Sequence, residues 1–352
     1  TPTLATRLQA IWQRRGPAAW LLWPLSRLYG WAVERRRRAF LKGTGQPRSV
    51  GLPVIVVGNV IAGGAGKTPV TQAVVAHLRA RGWRPGIVSR GYGRSSTDCR
   101  EALPSSPASE VGDEPALLAR NTGVPVFVAR QRVEAAQALR ARYPEVDIIV
   151  SDDGLQHWAL ARDIELCVFN EQGAGNGFLL PAGPLREPWP RAVSAVLYAG
   201  APPQPLGDAP AFALRRSLAP RARDANGHEV DLTELAGREG IEAVAAIARP
   251  EAFFEMLAER GLRIDAAQAL PDHADFARFK RLCTASTPLL CTEKDAVKLW
   301  PLHPDALAVP LQLRLPAAFW QLLDSKLQAL AGPQERAHGP KPPSAPEAAK
   351  SN

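Results

Sequence analysis

Short apolar runs alternate with amphipathic stretches along most of this chain. The run at 54–57, four β-branched residues in a row, reads as a buried strand. Further runs of strand length fall at 86–89, 124–129, 146–151, 164–169 and 194–199. Between them, apolar positions at helical spacing predict helices over 68–81, 115–121 and 132–142. Strands alternating with helices predict an α/β fold, a parallel sheet with helices on both faces. A Pro-rich passage at 201–210 marks a boundary. Beyond it the pattern predicts strands at 243–248, 288–292 and 308–314 and helices at 251–260, 275–285, 295–300 and 317–331. The expected organisation is an N-terminal arm (1–48), a nucleotide-binding domain (49–200), a smaller second α/β domain (201–331) and a disordered Pro/Ala/Ser/Lys-rich tail (332–352).

The connection after the first strand changes this from a fold to a site. Residues 54–68 read VIVVGNVIAGGAGKT, and a helical pattern follows. Strand, glycine-rich turn, Lys67-Thr68 and helix form the context of a phosphate-binding loop. Gly63, Gly64, Ala65 and Gly66 let backbone N–H groups converge on phosphate oxygens, and the helix N-terminus adds partial positive charge. Lys67 reaches the β- and γ-phosphates of a nucleotide, and the Thr68 hydroxyl suits Mg²⁺. Ile61 stands where the common form of this loop has its first glycine. The downstream strand 146–151 ends in Asp152-Asp153, where a carboxylate beside a phosphate loop meets nucleotide-bound Mg²⁺. A helix cap or turn is the other use of such a pair.

Charge adds a third element. Residues 1–48 hold ten of the 43 Lys/Arg but one of the 34 Asp/Glu, so the arm carries the whole chain's net charge of +9. It also holds four of the nine tryptophans, Trp12, Trp20, Trp23 and Trp31. Its longest apolar run, 18–25, contains Pro24 and is far below the roughly 18 residues that span a bilayer. Trp and Arg on one helical segment suit the headgroup boundary of an anionic membrane. A packing helix or a nucleic-acid contact also fits the charge, but phosphate binding needs no such tryptophan load. The arginine cluster at 35–38 follows the apolar run where a secretory cleavage site would fall, which argues against a signal peptide. A chain of 352 residues with 46% hydrophobic content can bury a large core, which excludes global disorder. Cys99, Cys167, Cys283 and Cys291 form no C-x-x-C pair and read as small core residues of a reducing compartment.

Five further strings carry possible chemistry. SRGYGR (89–94) leaves a strand with Arg90, Tyr92 and Arg94, and arginine forks bind phosphate bidentately. VGDEP (111–115) puts Asp113 and Glu114 just before a helix, where N-terminal capping is the plainer use. LPAGPLRE (180–187) offers Arg186 for the charge on a transferred phosphoryl group. His273 in LPDHADF lies between aspartates, and TEKD (292–295) is either a capping box or a ligand site.

Taken in order, GNVIAGGAGKTP, SRGYGR, VGDEP, DDGLQH, LPAGPLRE, IARPEAFFEML, PDH and TEKDAVK resemble the tetraacyldisaccharide 4'-kinase (lipid A 4'-kinase) family over about residues 21–330. The family's phosphate loop also lacks the first glycine. The resemblance implies a phosphate-loop kinase on the cytoplasmic face of the bacterial inner membrane. Its reaction is MgATP-dependent phosphorylation of the 4'-hydroxyl of an acylated glucosamine disaccharide 1-phosphate. It implies Lys67 and the loop amides on the nucleotide phosphates, and Thr68 and Asp152 at Mg²⁺, with Glu114 assisting. Asp113 becomes the general base, oriented by His273. Arg186 becomes the stabiliser of γ-phosphoryl charge, and Asn59, Arg90, Tyr92 and Arg94 line the acceptor side. Two other classes stay open on the residues alone: a membrane-attached ATPase or GTPase switch, disfavoured as a GTPase by the lack of an N-K-x-D string, and a membrane-surface adaptor with no use for Lys67, Thr68 and Asp152.

Overall fold

The computed structural model describes residues 4–41, 46–238, 240–272, 274–284 and 286–330. The tail at 332–352 and His273 therefore lie outside the described residues. The arm forms helices α1 (Leu4–Trp12) and α2 (Pro17–Leu41). None of the described helices is long and apolar enough to cross a membrane.

Eight strands build the first sheet: β1 (Val54–Gly58), β2 (Pro85–Ser89), β3 (Arg100–Glu101), β4 (Val126–Val128), β5 (Ile148–Asp152), β6 (Ile164–Phe169), β7 (Ala195–Tyr198) and β8 (Ala211–Ala213). Their order is β3-β4-β2-β5-β1-β6-β7-β8, all parallel except the short edge strand β3. Helices α3 (Lys67–Ala80), α4 (Ala108–Val111), α5 (Asp113–Thr122) and α6 (Arg132–Arg142) belong to the connections. Consecutive strand residues point to opposite faces, and here both faces are buried. Ile55, Val57, Ile148 and Val150 pack toward α3 and α5, while Val54, Val56 and Ile149 join the core on the α6 side. Strands covered on both sides read as unbroken apolar runs, which is why the sequence shows them so plainly.

The second half contributes β9 (Arg215–Leu218), β10 (Arg221–Arg223), β11 (Glu229–Asp231), α7 (Leu232–Leu235), β12 (Ile241–Ala245), α8 (Pro250–Glu259), β13 (Ile264–Ala269), β14 (Leu289–Thr292), α9 (Glu293–Leu299), β15 (Leu307–Val309), β16 (Leu311–Arg314) and α10 (Ala317–Leu330). A six-stranded sheet runs β11-β10-β15-β14-β12-β13, and β9 pairs with β16. The strand expected over 308–314 is split at Pro310, which has no N–H for a ladder. Helix α10 packs on α3: Phe319, Leu323 and Leu327 enter the first sheet's core, and Trp320 stacks on His77 at 4.4 Å.

The helix expected over 275–285 does not form in the described residues there. Asp275 Oδ1 accepts from Ala277 N–H in a turn, and Phe276 takes a φ of 62°. The Glu242 carboxylate then accepts from Leu282 N–H at 2.8 Å. Phe276 is buried in the second lobe's core, with Phe279 packed against that core. Tertiary contacts have outweighed helical spacing.

Candidate active site

Strand β1 lies between β5 and β6, and its register sets Val57 opposite Asp152. The phosphate loop therefore leaves β1 beside the Asp152-Asp153 pair, at the carboxyl edge of a parallel sheet where α/β folds bind ligands. Gly66 has a φ of 77°, which favours glycine, and it lies against the Arg216 guanidinium. That same Arg216, on β9, donates to the Ala65 carbonyl at 2.9 Å and ties the loop to the second half of the chain. Asn170 braces the Gly64 carbonyl at 3.1 Å.

The charged groups around the loop are ordered by Asp153. Lys67 Nζ is 3.7 Å from one carboxylate oxygen, and Arg186 Nη1 is 3.3 Å from both. Burial raises the Asp153 carboxyl, but Lys67, Arg186 and Arg132 outweigh it and hold it below its usual range. Asp153 sits at φ 47°, an uncommon conformation for a residue with a Cβ. Buried Arg132 stabilises that turn by donating to the Asp152 carbonyl at 3.2 Å and the Asp153 carbonyl at 2.6 Å.

Asp152 is different. It is fully buried, and its Oδ1 accepts from Thr71 at 3.0 Å. Its Oδ2 has no hydrogen-bond partner among the described residues. Burial, with the Glu114 and Asp153 carboxylates nearby, pushes the Asp152 carboxyl up to about 7. An orphaned carboxylate oxygen in a cluster of negative charge beside a phosphate loop fits a divalent cation, which would favour the ionised form. No group of three or more His, Cys, Asp or Glu positioned for a metal occurs among the described residues. Mg²⁺ needs none, since one or two carboxylates and substrate phosphates hold it. Thr68 is buried at the first turn of α3, as that role requires.

The loop 90–94 lies against the start of α5: a Cβ on Gly112 would meet the Tyr92 carbonyl oxygen at 2.8 Å. Asp113 and Glu114 are the first residues of α5 rather than residues before it. Asp113 is buried and pairs with Lys298 Nζ of α9 at 2.7 Å. Lys298 also donates to the Ala274 carbonyl at 3.2 Å. One ammonium thus joins the expected base to Ala274, the residue after His273 in sequence. Tyr92 is 69% exposed and Arg90 is exposed, while Arg94 is half-buried. Asn59 is fully buried, with Nδ2 3.5 Å from the Gly63 carbonyl. TEKD is a cap: Thr292 Oγ1 accepts from Asp295 N–H at 3.2 Å and donates to its carboxylate at 2.6 Å.

Sequence reasoning gave no role to Asp153, Arg132 or Lys298. Asp153 and Lys298 lie within strings already singled out, DDGLQH and TEKDAVK; Arg132 carried no signal. His157 of DDGLQH accepts from Arg132 N–H at 3.0 Å through Nε2, so its imidazole is neutral. Burial, with Arg132, Arg162, Arg36 and Arg90, pushes it down to about 3. A depressed base contributes stability that is complete above the unfolded value near 6.5 and is lost as pH falls toward 3. The raised Asp152 acts with the opposite sign, so the comparison needs a variant. We expect the melting temperature to fall more steeply from pH 7.5 to 4.5 in the wild type than in His157→Gln. Parallel slopes in the two proteins would refute the buried neutral imidazole.

Comparison with known proteins extends these observations. Residues 18–328 match the family model described as tetraacyldisaccharide-1-P 4'-kinase. The chain is 62% identical over 335 residues to a tetraacyldisaccharide 4'-kinase of Delftia acidovorans, covering 95% of this chain and 98% of that protein. It is 61% identical over 328 residues to one from an Acidovorax species, covering 93% and 96%. Among solved structures, the "apo" form of LpxK from Aquifex aeolicus in complex with ATP superposes with a TM-score of 0.75 at 26% identity, over 88% of this chain and 99% of that one.

Proposed function

The chain belongs to the tetraacyldisaccharide-1-P 4'-kinase family, and from that premise we propose how its own residues carry out the family's reaction. The protein is an ATP-dependent phosphotransferase that acts on an alcohol group, the 4'-hydroxyl of a tetraacylated glucosamine disaccharide 1-phosphate, to give lipid IVA. The roles assigned below are the proposal.

Lys67 and the amides of Gly63, Gly64, Ala65, Gly66 and Thr68 hold the β- and γ-phosphates. Thr68, Asp152 and Glu114 would hold Mg²⁺, which would supply neutralisation of phosphate charge. The orphaned Asp152 Oδ2 is the observation that carries this assignment. Arg186, aimed by Asp153, faces the charge on the transferred group. Asp113 takes the proton of the 4'-hydroxyl, with His273 as its orienting partner. Arg90, Tyr92, Arg94 and Asn59 serve the acceptor side. Residues 49–200 act as the nucleotide-binding domain and 201–331 as a second domain that lends β8 and α10 to the first sheet and brings Lys298 to Asp113. The direct test is transfer of labelled γ-phosphate from MgATP to a detergent-dispersed acylated disaccharide 1-phosphate. Nucleotide hydrolysis that ignores the acceptor would return the protein to the switch class.

The arm is read as a peripheral membrane contact on the cytoplasmic face of the inner membrane, with no nucleic-acid role. Trp20, Leu21, Leu25, Leu28 and Trp31 are each more than half exposed on α2. Arg27 lies over the Trp23 ring and Arg35 over the Trp31 ring, at 5.6 and 5.4 Å. Apolar rings beside arginines suit the headgroup layer, each basic residue adding about 1 kcal/mol on anionic lipid. Leu21 and Trp31 are the cleanest probes, because Trp20 also packs edge-on against Phe178. The double variant Leu21→Ser/Trp31→Ser should lose most flotation with anionic vesicles, whereas high salt should weaken wild-type flotation only in part. Unchanged flotation of the variant would put the membrane contact elsewhere.

A further inference from the structure

The segment that carries Arg186 is clamped between two unrelated parts of the chain. On one side it is zipped to the phosphate loop: Arg186 N–H donates to the Val60 carbonyl and Ala62 N–H to the Pro184 carbonyl, both at 2.7 Å. On the other side it is held by the arm. Ser26 of α2, buried, donates to the Leu179 carbonyl at 2.7 Å and accepts from Ala182 N–H at 3.0 Å. Tyr29, one turn on, donates to the Arg186 carbonyl at 2.9 Å. Trp12 of α1 donates to the Pro181 carbonyl at 2.9 Å. Gly30 lies against the loop as well: a Cβ there would lie 2.6 Å from Leu179 Cδ1.

Helix α2 therefore has two faces with two tasks. Leu21, Leu25, Leu28 and Trp31 are exposed, while Ser26, Tyr29 and Gly30 meet the loop. The main chain of Arg186 has its N–H fixed by the phosphate loop and its carbonyl fixed by the arm. Its guanidinium then meets Asp153, which also meets Lys67. A long side chain reaches its target only as accurately as its backbone is held, and misplacement by about 1 Å costs on the order of 10²-fold in rate.

We propose that α2 is a positioning element for the catalytic site as well as a membrane contact, with Ser26 and Tyr29 as positioning residues that act through Arg186. This rests on the reading of Arg186 as the arginine that faces the transferred phosphoryl group. Seating the arm on a lipid surface and aligning that arginine are then one structural event, which suits an acceptor presented by the membrane.

The test is a double-mutant cycle on the full chain, assayed with acceptor dispersed in detergent so that membrane attachment is not needed. The variants are Tyr29→Phe, Arg186→Ala and the pair, with Ser26→Ala as an independent probe of the same loop. Tyr29→Phe and Ser26→Ala should each lower kcat about tenfold, the scale of one lost positioning hydrogen bond. The KM for ATP and vesicle flotation should stay close to wild type in both, and so should the melting temperature of Tyr29→Phe, whereas Ser26→Ala should melt a few degrees lower because it leaves the Ala182 N–H without its acceptor. Tyr29→Phe should cost nothing more once Arg186 is alanine, since its effect passes through that side chain. Wild-type kcat in both Tyr29→Phe and Ser26→Ala overturns the proposal. Equal cost of Tyr29→Phe with and without Arg186 also overturns it and makes α2 an anchor alone. If Arg186→Ala itself keeps full activity, the reading of Arg186 fails first and takes the proposal with it.

Discussion

Lys67→Ala is expected to lower phosphoryl transfer by about 10³-fold or more while leaving the fold intact. Lys67 opens α3 directly after Gly66, is 8% exposed, and has Nζ 3.7 Å from an Asp153 carboxylate oxygen. In the proposed role its charge would act on the β- and γ-phosphates, in a poorly solvated site where an ammonium is worth far more than in water. The fold should survive because Lys67's carboxylate neighbour is not abandoned: Asp153 keeps both contacts with Arg186 at 3.3 Å and the nearby charge of Arg132. Removing an ion-pair partner from a buried acid is severe only when no other cation remains. Lys67→Arg should not restore the rate, since a planar fork cannot replace a point charge inside a tight loop. Steady-state kinetics, ATP binding and a thermal melt check these points together. A folded Lys67→Ala protein with near-normal turnover would end the phosphate-loop reading.

That prediction was legible in the sequence because everything it needs is local. Strand, glycine turn and helix are consecutive, so apolar runs and glycines report them directly. The same holds for Asp113 and Glu114 at the start of α5, and for Asp152 at the end of β5. What the sequence could not report depends on distant partners. Asp153 meets Lys67 and Arg186, 86 and 33 positions away, and no local pattern encodes that. The 275–285 segment has helical spacing, but Glu242 and a left-handed Phe276 decide its path. Strand β13 escaped notice because its burial alternates and its sequence, IDAAQA, has one large apolar residue. Helix α10 was legible as a helix, but not as a partner of α3. That follows from Trp320 on His77 and from Asp324, which pairs with His77 and Arg81 at 2.7 Å each. Arg132 illustrates the limit most clearly: a buried arginine that holds two carbonyls looks in sequence like any arginine at a helix start.

Asp113→Ala is the second large effect, a fall in kcat of about 10²–10⁴-fold with little change in the KM for ATP. The split follows from the proposed role: Asp113 begins α5, is buried against Lys298 and is assigned to the acceptor hydroxyl, not to the nucleotide. A base that takes a proton only as transfer proceeds stabilises the transition state and not the bound nucleotide, so the loss falls on kcat. His273→Ala should cost less, and Asp113→Ala/His273→Ala less than the product of the single losses, because the two would act as one unit. Lys298 supplies a test from the other side. Its ammonium holds the Asp113 carboxylate at 2.7 Å and the Ala274 carbonyl at 3.2 Å, so it ties the proposed base to the residue that follows His273 in sequence. Lys298→Met should therefore lower kcat by roughly tenfold, as one lost charge-assisted hydrogen bond does. It should add little in a protein already lacking Asp113. Fully multiplicative losses would separate Lys298 and His273 from the base. An unchanged kcat for Asp113→Ala would reduce VGDEP to the start of a helix and move the search for the base to Glu114, whose carboxylate lies close enough to Asp152 to raise it.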